Sequence, residues 1–253
     1  MRRKLLASLI IMVLAFSCMT PVLVNADTYV RSGYACKSGK NIYFAFTSTK
    51  KSTPIYKFNV KTGERVKVGI KRNSLKEFKN LSVSGKYLYC AARPAKSLSC
   101  TYIYRINLKT GNTKKLAKGT KPTLVGDKIV FEGIKAQKVN DNLNYTYVPS
   151  GKDYQIPQEG GKKQPANHME VITETSCRDK KIAFGKYKYY ITKDGKKIYR
   201  KSGKQKQLVC KAKKITGFRV LGGYLVVKTT KKGKNYAYCV KSNGSESIKM
   251  LRW

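Results

Sequence analysis

The chain has 253 residues, of which 54 are Lys or Arg and 13 are Asp or Glu, giving a net charge of +41. Apolar residues make up 41% of it and include 18 Tyr. This composition excludes general disorder and favours half-buried β-strands, since a Tyr ring packs while its hydroxyl stays in water.

The first 26 residues have the layout of a secretory signal peptide. A cationic stretch, residues 1–4, precedes an apolar run, residues 5–16, and Ala26 suits cleavage before Asp27. An uncleaved membrane anchor and a lipid-anchored Cys18 are the alternatives, although the apolar run is short for a membrane span. We therefore expect residues 1–26 to be removed. The net charge of residues 27–253 is then +38, which is +41 less the three cationic side chains of residues 1–4.

Five times along residues 27–253, a Gly precedes an aromatic or aliphatic strand, at Gly39, Gly85, Gly126, Gly185 and Gly222. A strand centred on Tyr follows each of them, at Tyr56, Tyr104, Tyr145-Thr146-Tyr147, Tyr199 and Tyr236-Ala237-Tyr238. A small polar residue and a Gly then close each unit, at Thr62-Gly63, Thr110-Gly111, Ser150-Gly151, Ser202-Gly203 and Asn243-Gly244. Glycine accepts the positive φ that tight hairpin turns need, so each closing pair predicts a turn.

The units recur at intervals of about 45 residues, which is typical of a propeller blade. One four-stranded meander cannot bury both of its faces, whereas five packed in a ring can. The sequence therefore predicts an all-β fold, a five-bladed β-propeller of four-stranded antiparallel meanders, formed by residues 27–253. An open β-solenoid of the same units is the alternative; a β-sandwich would not impose a repeat of this length.

The third and fourth units are separated by extra residues, 157–179, which contain His168, the only histidine of the chain. We expect this segment to project between blades, either as a partner-binding loop or as a surface loop without function.

Six cysteines follow the cleavage site: Cys36, Cys90, Cys100, Cys177, Cys210 and Cys239. An even number in an exported chain permits up to three disulfides. Only Cys90 and Cys100 flank one predicted hairpin loop, so they are the expected pair, with buried free thiols as the alternative. No Cys-x-x-Cys pair is present, and neither a metal site nor a cofactor is expected.

The pattern Gly85-Lys86-Tyr87-Leu88-Tyr89, then Ile103-Tyr104-Arg105, then Thr110-Gly111 resembles secreted bacterial propeller repeats of the clostridial type, whose function is unknown. It is more distantly similar to TolB-like and low-density-lipoprotein-receptor-type propellers. The resemblance covers residues 27–253. It implies a propeller fold and binding outside the cell or at its envelope, but it supplies no catalytic residue.

Catalytic chemistry has little support in the sequence. One histidine cannot build a multi-histidine metal site. No motif supports a catalytic pair of His168 with a distant Cys or Ser nucleophile. The carboxylates available to a glycan-cleaving enzyme, Asp127, Glu132, Asp179 and Asp194, belong to different units and different kinds of loop. We therefore expect no enzyme, with a carbohydrate-active enzyme as a minor alternative.

Positive charge is the remaining functional signal. In a propeller, the loops between second and third strands share one face with the loops between blades. The ligand-binding residues predicted on this face are Lys50, Lys51, Arg93, Lys96, Lys135, Lys138, Lys231 and Lys232. The opposite face is also basic, so a solvated basic surface is the alternative to a dedicated site. Tyr147 and Tyr154 are predicted to pack in the core, or to stack on sugars if they are exposed.

These features predict a secreted, noncatalytic binding module at the bacterial cell surface that holds an anionic cell-wall polymer or an acidic glycan electrostatically. A protein-interaction scaffold that recognises its partner through residues 157–179 is the alternative. Sequence-specific nucleic-acid binding is not expected, nor is a transmembrane segment after cleavage.

Overall fold

The computed structural model describes residues 33–46, 54–71, 75–95, 100–139, 145–167 and 181–252. All regular secondary structure within these ranges is β-strand, as predicted. No helix in this part of the chain is long and apolar enough to cross a membrane. The predicted signal peptide, residues 1–26, lies outside the described residues.

The described strands form five antiparallel sheets, each a four-stranded meander that follows the chain order. The first sheet consists of β1 (Ala35–Ser38), β2 (Asn41–Phe44), β3 (Tyr56–Asn59) and β4 (Arg65–Lys67). The second consists of β5 (Leu75–Ser84), β6 (Tyr87–Pro94), β7 (Tyr102–Asn107) and β8 (Thr113–Lys118). The third consists of β9 (Thr120–Val125), β10 (Lys128–Lys138), β11 (Tyr145–Pro157) and β12 (Gln164–Pro165).

The fourth sheet consists of β13 (Lys181–Phe184), β14 (Tyr187–Ile191), β15 (Lys197–Ser202) and β16 (Gln205–Lys211). The fifth consists of β17 (Ile215–Leu221), β18 (Tyr224–Lys231), β19 (Lys234–Lys241) and β20 (Ser247–Arg252). The first Gly of each predicted unit lies in the turn between the first and second strands, where its φ is positive.

Strand register confirms the repeat. In every sheet, the fifth residue after the first-turn Gly pairs across the second and third strands with a Tyr. These pairs are Phe44 with Tyr56, Cys90 with Tyr104, Phe131 with Tyr154, Tyr190 with Tyr199, and Val227 with Tyr238. The equivalent Tyr therefore occupies one position in all five sheets.

The third sheet departs from the predicted landmarks. Its equivalent tyrosine is Tyr154, so the prediction that Tyr145-Thr146-Tyr147 forms the centre of the third strand was wrong. Ser150-Gly151, predicted to be the closing turn, lies inside β11, in a bulge opposite Gly133 of β10. A bulge adds unpaired residues to one strand. Here it separates the repeat-like pairing of residues 128–132 with 153–157 from the pairing of residues 134–138 with 145–149.

The predicted insertion, residues 157–179, is also corrected in part. Pro157 ends β11, the closing turn contains Gly160 and Gly161 at φ 91° and 145°, and Gln164–Pro165 forms the fourth strand of the sheet. The first part of the segment is therefore a regular component of the third sheet and not an insertion between sheets. Residues 168–179, with His168, lie outside the described residues.

Closing turns of the first two sheets share the sequence pattern Asn-x-Lys-Thr-Gly. The side-chain Oδ1 of Asn59 accepts hydrogen bonds from the backbone N–H groups of Lys61 (3.0 Å) and Thr62 (3.4 Å). Asn107 repeats this arrangement with Lys109 (2.9 Å) and Thr110 (3.1 Å). An Asn side chain that bonds the backbone two residues ahead fixes a turn locally, so this motif specifies where the third strand ends.

Apolar clusters fill the junctions between neighbouring sheets. Pairs that share a cluster, one pair per junction, are Tyr43 and Leu88, Tyr89 and Phe131, Ile198 and Phe218, and Val226 and Phe44. The spatial order of the sheets is thus third, second, first, fifth and fourth. Within the described ranges, no such cluster joins the third sheet to the fourth. Because the last sheet packs on the first, the chain folds as a five-bladed β-propeller, and the sheets are its blades.

The closing turn of one blade packs on the fourth strand or the following loop of the preceding blade. The N–H of Lys71 donates to the carbonyl of Gly111 (3.0 Å), Lys114 Nζ donates to the carbonyl of Glu159 (2.7 Å), and Gln207 Nε2 donates to the carbonyl of Asn243 (2.8 Å). Between the fifth and first blades, Arg65 Nη1 donates to the carbonyl of Met250 (2.6 Å). Side chains and backbone groups of consecutive blades therefore interlock in the same way around the described part of the ring.

The structure does not join Cys90 and Cys100, the predicted pair, by a disulfide, and it joins no other pair of the described cysteines. Cys90 pairs with Tyr104 across β6 and β7, and Ala92 pairs with Tyr102. The register therefore places the two cysteines four residues apart along the hairpin, a separation of about 13 Å at 3.3 Å per residue. A disulfide requires Cα atoms within about 7 Å.

Candidate ligand-binding surface

Five of the eight predicted binding residues lie in described parts of the chain, and they have different environments. Lys50, Lys51 and Lys96 are outside the described residues. Arg93 is the penultimate residue of β6 and makes a salt bridge with Glu77, with its Nε donating to Oε1 at 3.0 Å. Its charge is therefore partly satisfied within the second blade, and it is a weaker candidate than the four lysines.

Lys231 and Lys232 lie at the end of the β18–β19 hairpin of the fifth blade. Lys231 pairs directly with Lys234 across the hairpin, and all three lysines are exposed. Lys232 has φ 49° and Gly233 φ 69°, so the turn is of the left-handed kind that glycine favours. Like charges directly opposite each other destabilise a hairpin, which makes this end of the blade a place where an anion would bind favourably.

Lys135 and Lys138 lie on the β10–β11 hairpin of the third blade. With 11 and 13 residues, these strands exceed the second and third strands of the other blades, which have at most eight. We call residues 134–138 with 145–149 the third-blade arm. Lys138 pairs with Tyr145, whose side chain is 55% exposed, and Lys135 pairs with Val148. An exposed aromatic ring can stack on a ligand, and the exposed ammonium beside it can attract an anionic group of the same ligand.

The third-blade arm is held against the second blade. Tyr147 lies two residues after Tyr145 on the same face of β11, and Lys118 Nζ of β8 lies 3.7 Å from the centroid of its ring. A cation over an aromatic face contributes about 0.5–1 kcal/mol at an exposed position. Tyr147 therefore docks the arm, whereas Tyr145 presents its ring to solvent.

A feature that the sequence analysis missed recurs in all five blades. In each blade, a Lys or Arg at or beside the fourth strand lies over the ring of a Tyr of the third strand. These five pairs, which we call the rim pairs, are Arg65–Tyr56 (5.2 Å), Lys115–Tyr102 (4.9 Å), Lys163–Tyr154 (3.8 Å), Lys206–Tyr199 (4.2 Å) and Lys249–Tyr236 (5.5 Å). The third and fourth strands are the outer strands of a blade, so the rim pairs follow the outer wall of the propeller.

The rim pairs have a common geometry. Each cation lies diagonally across the ladder from its Tyr: Lys206, for example, pairs with Lys201, whereas Tyr199 pairs with Leu208. All five cations are exposed and all five rings are half-buried. The ring restricts the cation without removing its charge from water. Each blade thus presents one positive charge whose position is set by an adjacent aromatic face.

A second repeated arrangement occurs in the second and fourth blades. Arg105 Cζ lies 4.5 Å from the ring centroid of Tyr87, and Arg200 Cζ lies 4.5 Å from that of Tyr187. The lysine before each tyrosine, Lys86 or Lys186, approaches the same ring at 5.6 Å. Arg105 also donates to the carbonyl of Gln158 at 3.4 Å, so these pairs serve the junctions between blades as well as the surface.

The sparse carboxylates are engaged in local structure. Glu132 makes a salt bridge with Lys121 (2.7 Å) and accepts a hydrogen bond from the N–H of Gly151 (3.3 Å) at the bulge of the third blade. Asp194 caps the β14–β15 turn, where the hydroxyl of Thr192 and the N–H of Lys196 donate to it and lower its pKa. Asp127 lies in the β9–β10 turn and Asp179 is outside the described residues.

No group of three His, Cys, Asp or Glu side chains with the arrangement of a metal site occurs in the part of the chain that the structure describes. Tyr154, predicted to be a core or a stacking residue, packs on Phe131 with ring centroids 6.1 Å apart. The ammonium of Lys163, its partner in the rim pair, also lies over this ring. Tyr154 therefore contributes to both the core and the rim.

No family model and no curated protein matches the sequence. Among solved structures, the chain is similar to a putative TolB from Agrobacterium tumefaciens, with 12% identity over 87% of this chain and 80% of that one, at a TM-score of 0.38. It is similar to a chain of a nidogen–laminin complex, with 10% identity over 91% of this chain and 81% of that one, at a TM-score of 0.37.

It is also similar to a prolyl endopeptidase, with 10% identity and a TM-score of 0.37, over 88% of this chain but only 43% of that one. The chain thus spans less than half the length of that enzyme. At these identities and TM-scores, nothing about the activity or the ligand of this chain follows from the matches.

Proposed function

We propose that this protein is a secreted, noncatalytic binding module that holds an anionic polymer of the bacterial cell envelope. The rim pairs are the observation on which this proposal rests. They present one exposed Lys or Arg per blade on the outer wall, each beside the ring of a half-buried Tyr. A protein surface that repeats one charge at each blade suits a ligand that also repeats its charges.

Electrostatics supports a polyanion as the ligand. With 54 Lys and Arg against 13 Asp and Glu, one-to-one pairing would leave 41 cations without an acidic partner. Such a surplus attracts polyanions and accelerates their association. Lysine contributes most of this charge, and its compact ammonium favours diffuse electrostatic contact over the bidentate recognition that Arg provides.

The aromatic rings give the charges a defined place. A Lys side chain loses about 2 kcal/mol of rotamer entropy when it is fully fixed, and a ring that restricts it in the unbound protein reduces the loss on binding. Tyr also offers an aromatic face and a hydroxyl to a sugar beside a charged group. The predicted ligand is therefore a phosphate- or carboxylate-bearing glycan or polyol of the cell wall.

Sedimentation with isolated bacterial cell walls tests the proposal. We expect the purified protein to bind intact walls and to lose most of its binding between about 0.1 and 1 M salt, because the screening length falls from about 10 to 3 Å. Walls from which the anionic polymer has been extracted should retain little protein. Binding that is unaffected by salt, or by extraction of the polymer, would refute the proposal.

A further inference from the structure

Two cysteines from different blades lie in one apolar cluster at the junction of the first and second blades, and in the structure no disulfide joins them. Cys36 lies on β1, the innermost strand of the first blade, and Cys90 lies on β6 of the second. Both side chains are buried, and both belong to the same apolar cluster, together with Tyr43 and Leu88.

The repeat explains why these two side chains meet. Cys36 is three residues before the first-turn Gly39, and Ile182 of the fourth blade, at the equivalent position, packs toward the following blade. Cys90 is five residues after Gly85, and Phe131 of the third blade, at the equivalent position, packs toward the preceding blade. At the junction of the fourth and fifth blades, the residues at these two positions, Ile182 and Val227, belong to one apolar cluster.

Small side chains line the same junction. Ala45 and Ala92 belong to the cluster that contains both cysteines. The first and second blades are also joined through the backbone, because the N–H of Leu81 donates to the carbonyl of Gly33 at 2.8 Å. This bond holds the start of the first blade against the first strand of the second.

We propose that Cys36 and Cys90 form a disulfide that links the first and second blades. The oxidant is a low-molecular-weight disulfide or a protein disulfide. The thiolate of Cys90 attacks it, releasing one thiolate and forming a mixed disulfide; the thiolate of Cys36 then attacks the sulfur of Cys90 and releases the second. In total, two thiols lose two protons and two electrons, one sulfur–sulfur bond forms, and the oxidant disulfide is reduced to two thiols.

Burial dictates when this bond forms. Loss of hydration raises the pKa of the Cys90 thiol above its usual range, with a smaller effect from Cys36. Since only a thiolate attacks a disulfide, oxidation is slow once the junction has closed. The bond is therefore made as the first two blades assemble.

Refolding of the full chain tests the proposal. The chain is unfolded in denaturant with reductant, refolded with or without a mixture of reduced and oxidised glutathione, then alkylated in denaturant and digested with trypsin. Cleavage after Lys and Arg places Cys36, Cys90 and Cys100 on separate peptides, residues 32–37, 87–96 and 97–105. We expect a linked peptide of 32–37 with 87–96, and alkylation of both cysteines to fall about tenfold or more relative to refolding without the oxidant.

Variants separate this pairing from others. Cys36→Ser should restore alkylation of Cys90, whereas Cys210→Ser should leave the linked peptide intact. Linkage of Cys90 mainly to Cys100, or full alkylation of Cys36 and Cys90 after oxidative refolding, would overturn the proposal. Because the mapping of the original chain decides the question by itself, a variant that fails to fold does not affect the result.

Discussion

Arg65 donates a hydrogen bond from Nη1 to the carbonyl oxygen of Met250 at 2.6 Å, and so connects the fourth strand of the first blade to the fourth strand of the last. The ring of Tyr56 lies beneath the same guanidinium, 5.2 Å from it. A second bond across the junction runs from the hydroxyl of Tyr34 to the carbonyl of Val226 (2.9 Å). Within the described residues, side chains join the first and last blades, and each of these two sheets is built from its own four strands.

Loss of the Arg65 contact should weaken this junction. We expect Arg65→Ala to lower the free energy of unfolding by about 1.5–3 kcal/mol, the usual contribution of a hydrogen bond to a charged group. Urea denaturation measures it. The matched control is Lys61→Ala, which removes the same charge from an exposed turn of the same blade and should change the free energy by less than about 0.5 kcal/mol. Equal effects of the two variants would show that the guanidinium contributes only charge.

Substitutions of two glycines in the second blade distinguish the cost of backbone strain from the cost of a steric clash. Gly85 has φ 53° and nothing within 4 Å of a Cβ position, so Gly85→Ala should cost about 1–2 kcal/mol of strain. Gly111 has φ 72°, and its Cβ would clash with the carbonyl oxygen of Gly69 in the first blade. Gly111→Ala should therefore destabilise the protein considerably more than Gly85→Ala in thermal unfolding. Similar midpoints for both variants would argue against the close contact of the two blades at Gly111.

The corrected register of the third blade predicts unequal roles for two tyrosines. Tyr154 packs on Phe131 in the core, whereas the Tyr145 side chain is 55% exposed. We expect Tyr154→Ala to lower the free energy of unfolding by about 2–3 kcal/mol, somewhat less than for a fully buried aromatic residue. Tyr145→Ala should change it by less than about 0.5 kcal/mol. A larger effect at Tyr145 in urea denaturation would favour the register expected from the sequence.

The sequence predicted the number of blades and the strands of each because local chemistry specifies them. A Gly in each first turn and an Asn-x-Lys-Thr-Gly turn in two blades fix the hairpins without help from distant residues. The third blade was misread because its bulge places Ser150-Gly151 inside a strand, where the pair looks like a closing turn. The pairing of Phe131 with Tyr154 in the folded sheet shows that Tyr154, and not Tyr145 or Tyr147, is the equivalent tyrosine.

The surface and the cysteines were harder to predict, because they depend on neighbouring strands and blades. The sequence shows Tyr154 and Lys163 nine residues apart, but the ladder that places one over the other exists only in the folded sheet. In the sequence, only Cys100 lies near Cys90, across a predicted hairpin loop. Cys36 shares an apolar cluster with Cys90 only in the folded protein, because the junction between their blades joins residues more than 50 positions apart.

The central claim is that the rim pairs, rather than net charge alone, bind the polyanion. Replacing the five rim cations with Gln removes five charges in the set Arg65, Lys115, Lys163, Lys206 and Lys249. The control removes five exposed cations, one per blade, that lie over no described ring, in the set Lys61, Lys109, Lys128, Lys204 and Arg252.

The deciding measurement is the affinity of the two variants for cell walls at about 0.1 M salt, where surface charges still act over about 10 Å. Each substitution of a contacting cation should cost about 0.5–1 kcal/mol, so the rim variant should bind at least about tenfold more weakly than the control variant. Equal losses in the two variants would show that binding follows overall charge and would contradict the claim.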